Sequence, residues 1–272
     1  MTSGSREALK WLAVVLMTGD HVAKILLGGH VPVLSELGRI AFPVFALVMA
    51  YNLAQPGADL GKSIRRLLAW GLIAQPVHAF AFGYWLPLNV LLTFALAAFA
   101  AWCIRDRRWL LVAVCVGPAP LLVDYQWSGI GFVLAAWYWF CSRRDLLEAG
   151  ASIVGEYSMC GGWRDFPWIM QPAWLLLCAY NGNGWALLAL PVFWLGDRVC
   201  LIPRTRWAFY GYYVGHLSLL AVLAHHMDTT ALISIAGVVI AAGILALAAR
   251  LAWIAWTVRR DLRRYDEGKR EV

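Results

Sequence analysis

Residues 8–27 read Ala-Leu-Lys-Trp-Leu-Ala-Val-Val-Leu-Met-Thr-Gly-Asp-His-Val-Ala-Lys-Ile-Leu-Leu. At about 1.5 Å of rise per residue, this apolar run is long enough to cross a bilayer core as a helix. Asp20, His21 and Lys24 lie inside it. Ionisable groups at membrane depth are costly unless a protein interior or a wet cavity receives them, so three in one span mark a candidate functional site. The plainer alternative is a structural ion pair, because Asp20 and Lys24 stand i,i+4 on one helix face. That alternative leaves His21 unexplained.

The rest of the chain fits the same solvent. Of 272 residues, 61% are hydrophobic and only 14% charged, which excludes an ordinary soluble domain and predicts an all-α, polytopic membrane bundle. Trp85, Trp109, Trp127, Trp163, Trp168, Trp185 and Trp207 all fall at or near predicted span ends, where amphipathic rings favour the headgroup level. The net charge of +7 comes from Lys and Arg in short loops and the C-terminal tail. Positive-inside topology produces that pattern, and no soluble stretch is long enough to carry a nucleic-acid-binding face. Cys103, Cys115, Cys141, Cys160, Cys178 and Cys200 show no metal-ligand spacing and read as apolar filler. The first apolar run is too long and too charged for a cleavable signal peptide.

Apolar runs between charged or turn-rich breaks predict about ten spans, near residues 8–28, 37–54, 64–83, 88–104, 109–123, 128–142, 167–181, 184–198, 207–227 and 230–258. Residues 1–258 then form a single transmembrane domain, and 259–272 a basic cytoplasmic tail. The stretch Leu146–Phe166 is apolar but broken by Gly155, Glu156, Gly161 and Gly162, leaving open whether it crosses or lies on the membrane. Basic residues precede span one and follow spans two, four, six, eight and ten, while the intervening loops hold almost none. Both termini are therefore expected in the cytoplasm, at the bacterial inner membrane.

With that orientation, Asp20, His21 and Lys24 belong to the outer half of span one. Arg39 opens span two from the outside, Asn89 and Thr93 share one face at the start of span four, and Asp124 lies in an outer loop. His78 and Gln75 sit near the outer end of span three, and His216 lies near mid-depth in span nine. Each has a plainer role available: Arg39 snorkelling to headgroups, Asn89 capping a helix, Asp124 solvated, His216 an interhelical hydrogen bonder. Their convergence on one half of one bundle points to a reaction centre or a permeation path.

In order along the chain stand Met17-Thr18-Gly19-Asp20-His21, Gly38-Arg39-Ile40-Ala41-Phe42-Pro43, Leu88-Asn89-Val90-Leu91-Leu92-Thr93, Asp124-Tyr125-Gln126-Trp127-Ser128-Gly129, Ala189-Leu190-Pro191 and His216-Leu217. From about Leu9 to Leu223 the sequence resembles the TraX family of conjugation-associated membrane proteins, related to the wider membrane-bound acyltransferases. It departs from that pattern at Gly19, Gln126 and Ser128. The resemblance implies acetyl transfer from acetyl-CoA, with the N-terminus of a conjugative pilin as acceptor and no metal.

On that reading Asp20, His21, Arg39 and His216 form the catalytic group. His21 or His216 is the base, Asp20 holds an imidazole from another helix, and Arg39 meets the oxyanion. Lys24, Asn89, Thr93 and Asp124 face the substrate, and Arg65 and Arg66 on the cytoplasmic side hold the CoA phosphates. A proton-coupled transporter is the alternative from another class, since Asp, His and Lys at depth also build proton relays. The internal repeat common in transporters is not evident. A non-catalytic pilus-assembly protein is the third reading.

Overall fold

A computed structural model defines residues 1–148, 168, 170–196, 205 and 207–226. The chain divides into two compact units, Met1–His226 and Met227–Val272, and every described residue belongs to the first. The expected span at 230–258, the tail at 259–272 and residues 149–166 of the Leu146–Phe166 stretch lie outside the described residues.

Among the described residues the secondary structure is helical, without a β-strand. Helix α1 runs Ser3–Leu26, and the Thr2 hydroxyl accepts the Ser5 N–H to cap it. Helices α2 (Leu34–Gly38) and α3 (Ala41–Leu53) are separated by a turn at Arg39 and Ile40. Pro43 falls in the first turn of α3, where its missing N–H costs nothing. Helix α4 (Leu60–Phe82) starts on the Asp59 carboxylate and stops at Gly83, whose φ of 78° favours glycine. There follow α5 (Val90–Arg105), α6 (Trp109–Val116), a 3-10 turn (Ala119–Leu122) and α7 (Gln126–Glu148). Helix α8 (Met170–Asn181), a second 3-10 turn (Trp185–Leu188), α9 (Ala189–Gly196) and α10 (Ala208–His226) complete the described unit.

Helix α3 occupies the centre. Ten of its thirteen residues are buried, from Ala41 to Leu53, as expected of a helix apolar on every side. Helix α5 packs against α4 and α7, and its Ala95, Ala97, Ala98, Ala100 and Ala101 are all buried, small side chains that let neighbours approach closely. The peripheral helices turn large apolar side chains outward: Leu68, Leu72, Ile73 and Phe80 on α4, Leu110 and Val114 on α6, Leu175 and Leu176 on α8, Leu219 and Val222 on α10.

The alternating helices give the bundle two ends. At one, the Met1 amine donates to the Tyr51 hydroxyl, Arg144 donates to the Ala54 carbonyl and the Thr205 hydroxyl donates to Glu7 at 2.7 Å. At the other, the Leu88 N–H donates to the Leu122 carbonyl and the Asp124 N–H to the Leu88 carbonyl. Of the Lys and Arg among the described residues, only Lys24 and Arg39 belong to this second end. The first is called here the basic end, the second the histidine end.

The expected spans meet the structure unevenly. Only Leu34–Leu53, among the described residues, is helix both long and apolar enough to cross a membrane; Val90–Arg105 and Trp185–Trp194 are shorter apolar helices. The run at 109–123 is not one helix. Gly117, Pro118 and Pro120 stop α6 after Val116, because proline cannot continue the hydrogen-bond ladder. The run at 184–198 likewise begins as a 3-10 turn before α9.

Candidate functional site

The centre of the histidine end is a pair of hydrogen-bonded imidazoles lying edge to edge. His21, five residues before the end of α1, places Nδ1 2.8 Å from Nε2 of His216 on α10, with the ring planes 4° apart. His216 Nδ1 lies 2.7 Å from the Tyr212 carbonyl one turn earlier. A carbonyl only accepts, so His216 Nδ1 carries the proton. Neutral His216 then offers a bare Nε2, His21 Nδ1–H donates to it, and the lone pair of His21 falls on Nε2. The chain of bonds thus fixes both tautomers and leaves His21 Nε2 with its lone pair and no hydrogen-bond partner among the described residues. The Tyr212 ring stacks on His216, and the Tyr212 hydroxyl meets Thr18 Oγ1 at 2.8 Å.

Asp20 points elsewhere. Its Oδ2 pairs with Lys24 Nζ at 2.7 Å, while Oδ1 is buried without a partner. The expected Asp20–imidazole contact does not form. A helix turns about 100° per residue, so adjacent side chains diverge, and Asp20 packs on Gly38 while His21 faces α10. A Cβ at Gly38 would lie 3.0 Å from Asp20 Cγ and closer still to its Cβ. This is a physical reason for the glycine in the Gly38-Arg39-Ile40-Ala41-Phe42-Pro43 run. Phe42 in the same run stacks on Tyr125 with ring centroids 3.9 Å apart.

Asp124 stands in the turn before α7. Its Oδ1 accepts the Tyr125 N–H at 2.8 Å and the Tyr180 hydroxyl at 3.3 Å. Desolvation raises its pKa, partly offset by the Tyr125 N–H, Lys24, Tyr180 and Arg39. Tyr125 and Gln126 follow at φ of 60° and 42°. Two consecutive left-handed residues with side chains are strained, and such strain persists only where surroundings over-determine it. Here the Phe42 stack and the Asp124 carboxylate hold the turn.

The remaining expected site residues divide in two. Asn89 is fully buried and clasps α5 to α4: Nδ2 donates to the Gly71 carbonyl and to Gln75 Oε1, and Oδ1 caps the Leu91 N–H. Thr93 donates to the Asp124 carbonyl at 2.8 Å. Both spend their hydrogen bonds on the frame. Arg39 is half-buried at the start of α3 and makes no side-chain hydrogen bond among the described residues. Arg65 and Arg66 lie at the basic end, where the Arg66 guanidinium rests over the Tyr210 ring at 5.5 Å. From Arg66 to His78 along α4 is about 18 Å at the helical rise. No group of three His, Cys, Asp or Glu suited to a metal occurs among the described residues.

Tyr180, Tyr212 and Phe82 were not legible as site residues, since an aromatic in an apolar run carries no signal of its own. Phe82 matters because His21 and His78 both pack on its ring, at 5.4 and 4.8 Å.

The family model for TraX protein matches residues 5–224. The chain belongs to the TraX family. The match covers nearly the whole described unit, and with it His21, Asp20, Lys24, Arg39, Asn89, Thr93, Asp124 and His216. Protein TraX of Escherichia coli is 36% identical over 107 residues, 39% of this chain and 43% of that relative. Protein TraX of Escherichia coli strain K12 is 37% identical over 109 residues, with the same coverage of 39% and 43%. The uncharacterized protein RP591 of Rickettsia prowazekii (strain Madrid E) is 32% identical over 88 residues, 32% of this chain and 33% of the relative. The chain thus spans less than half the length of these TraX relatives. No solved structure matches.

Proposed function

We propose that this TraX-family protein is a membrane-embedded acetyltransferase, moving an acetyl group from acetyl-CoA to an acceptor delivered at the histidine end. A conjugative pilin N-terminus is the first candidate acceptor. The observation that carries the reading is His21 Nε2, a base whose tautomer is fixed from behind by His216 and the Tyr212 carbonyl. Histidine with a second group orienting its far nitrogen is the usual form of a general base for acyl transfer.

The acceptor's N–H or O–H proton passes to His21 Nε2 as its nitrogen or oxygen bonds the acetyl carbon. The His21 Nδ1 proton can shift to His216 Nε2, spreading the positive charge over two rings. The thioester C–S bond breaks, and the CoA thiolate recovers the proton. Lys24, held by Asp20 and exposed at the mouth of the site, is the positive charge available to the carbonyl oxygen. Arg39, without a side-chain hydrogen bond to spend among the described residues, is the second. Acetyl-CoA, with its phosphates near Arg65 and Arg66, would reach the base by threading its thioester arm between helices.

Two features support a membrane setting. Large apolar side chains face outward on α4, α6, α8 and α10, a perimeter unfavourable in water. Exposed Trp109, Trp168 and Trp207 ring the basic end, and Trp85 and Trp127 the histidine end, as two interfacial belts would. The excess of Lys and Arg at the basic end favours a cytoplasmic side there and an outer side for the histidine end.

The test is mass spectrometry of pilin from cells carrying wild-type protein or matched levels of His21→Ala, His216→Ala and Arg39→Ala. The expected result is an added acetyl mass with wild type that disappears in the His21 variant. Pilin, glycan and lipid all unchanged by the wild-type protein would reject acetyl transfer.

A further inference from the structure

Among the described residues six buried side-chain polar atoms have no hydrogen-bond partner, and four of them belong to the histidine end: Asp20 Oδ1, His78 Nδ1, and Asn181 Nδ2 and Oδ1. Buried polar atoms are rarely left unpaired, so each is a position where a ligand can supply the missing partner. Of these, His78 has the clearest link to the base. Its ring is 5% exposed and packs on Phe82, the same ring that His21 abuts edge-on, and against Tyr84 at 5.5 Å.

We propose that His78 Nδ1 is a second hydrogen-bond acceptor for the nucleophile that His21 deprotonates, a binding role that rests on the acetyl-transfer reading. A primary amine has two N–H bonds and one lone pair. With one N–H directed at His21 Nε2 and the other at His78 Nδ1, the lone pair is left for the thioester carbonyl. The proton on His21's side leaves as the C–N bond forms; the His78 bond persists into the amide product and orients it. A hydroxyl has a single O–H and engages only one of the two nitrogens. His78 therefore favours amine over alcohol acceptors.

The experiment uses the full chain in detergent with acetyl-CoA and two probes: a short peptide with a free N-terminal amine, and the same peptide with that amine replaced by hydroxyl. His78→Phe keeps the ring and removes the nitrogen; His78→Asn sets an amide oxygen near the position of Nδ1. The expected result is a rise of about ten-fold in KM for the amine peptide with His78→Phe, equivalent to one lost hydrogen bond. The hydroxyl peptide changes little, and His78→Asn recovers most of the loss. An unchanged amine KM, equal losses for both peptides, or an Asn variant no better than Phe overturns the role. If His78→Phe fails to fold, His78→Leu takes its place: a raised KM for the amine peptide alone is expected, and equal changes for both peptides overturn the role. Wild-type protein that acetylates neither probe sinks the acetyl-transfer reading and His78's role with it. Active wild type with an indifferent His78→Phe removes only His78.

Discussion

At the scale of single residues, the histidine pair differs from a carboxylate-supported base in the charge behind it. The group that orients His216 is the neutral Tyr212 carbonyl, which fixes a tautomer without a second buried ion to desolvate. His21→Ala is expected to lower acetyl transfer by about 10²–10⁴-fold, the usual contribution of a general base. His216→Phe, which keeps a ring against Tyr212 and removes the acceptor for His21 Nδ1–H, is expected to cost about ten-fold in kcat with KM little changed, as loss of an interaction made mainly in the transition state would. Equal losses in both variants would mean the two rings share the base role. Gly38→Ala drives a methyl into Asp20; overpacking of this kind costs about 1–3 kcal/mol, and it should appear as a lowered unfolding temperature together with lost activity. The sequence marked His21 and His216 singly, as imidazoles out of place in apolar runs. It could not show their hydrogen bond, because a contact across 195 positions follows from the packing of α1 on α10 and from nothing local. Asp20 was legible for the same reason as His21, yet its partner proved to be Lys24, the i,i+4 neighbour that helix periodicity offers.

At the scale of elements, the α4–α5 hairpin depends on one amide. Asn89 caps α5 and supplies two of the bonds that reach back to α4. Asn89→Ala removes the cap and both side-chain bonds to α4, and a loss of about 2 kcal/mol is expected from these together. Thermal unfolding in detergent checks it; a change under about 1 kcal/mol would show that water replaces the amide at the clasp. At the opposite end Glu7 joins α1 to Thr205. Burial pushes its carboxyl up, but hydrogen bonds from Lys10 and Thr205 outweigh that and leave the pKa below its ordinary 4.5. A depressed acid stabilises the fold above the ordinary value and loses that contribution as pH falls through the folded one. Wild-type stability should therefore drop below about pH 4.5, and Glu7→Gln should flatten that drop, in an acid titration followed by tryptophan fluorescence. Helix positions were largely legible from apolar runs, α1, α3, α5 and α10 most closely. The run at 109–123 was misjudged because hydropathy averages over Gly117, Pro118 and Pro120, whereas a helix is ended by the backbone chemistry of each one.

At the scale of the whole molecule, the all-helical class was readable from composition, and the segregation of charge emerged from alternation of the helices. What composition could not supply is depth: which residues of each helix face α3 and which face outward depends on rotation about the axis, a property of all the neighbours at once. The membrane reading makes a direct prediction. In intact cells, a cysteine at Trp85→Cys should react with a membrane-impermeant maleimide, and one at Trp109→Cys only after permeabilisation, both in a background free of the native cysteines. Reaction of both from outside would reverse or abolish the proposed topology.

The Tyr212 carbonyl has one more implication. Where a triad needs three side chains, mutation has three targets, and each must be rediscovered if lost. Here the third member is a main-chain atom that any residue compatible with the helix can supply, the Tyr212 ring adding only its packing on His216. Inheritance of the device therefore hangs on two codons. A saturation library selected for transfer should return histidine alone at positions 21 and 216, and a broad alphabet at 212.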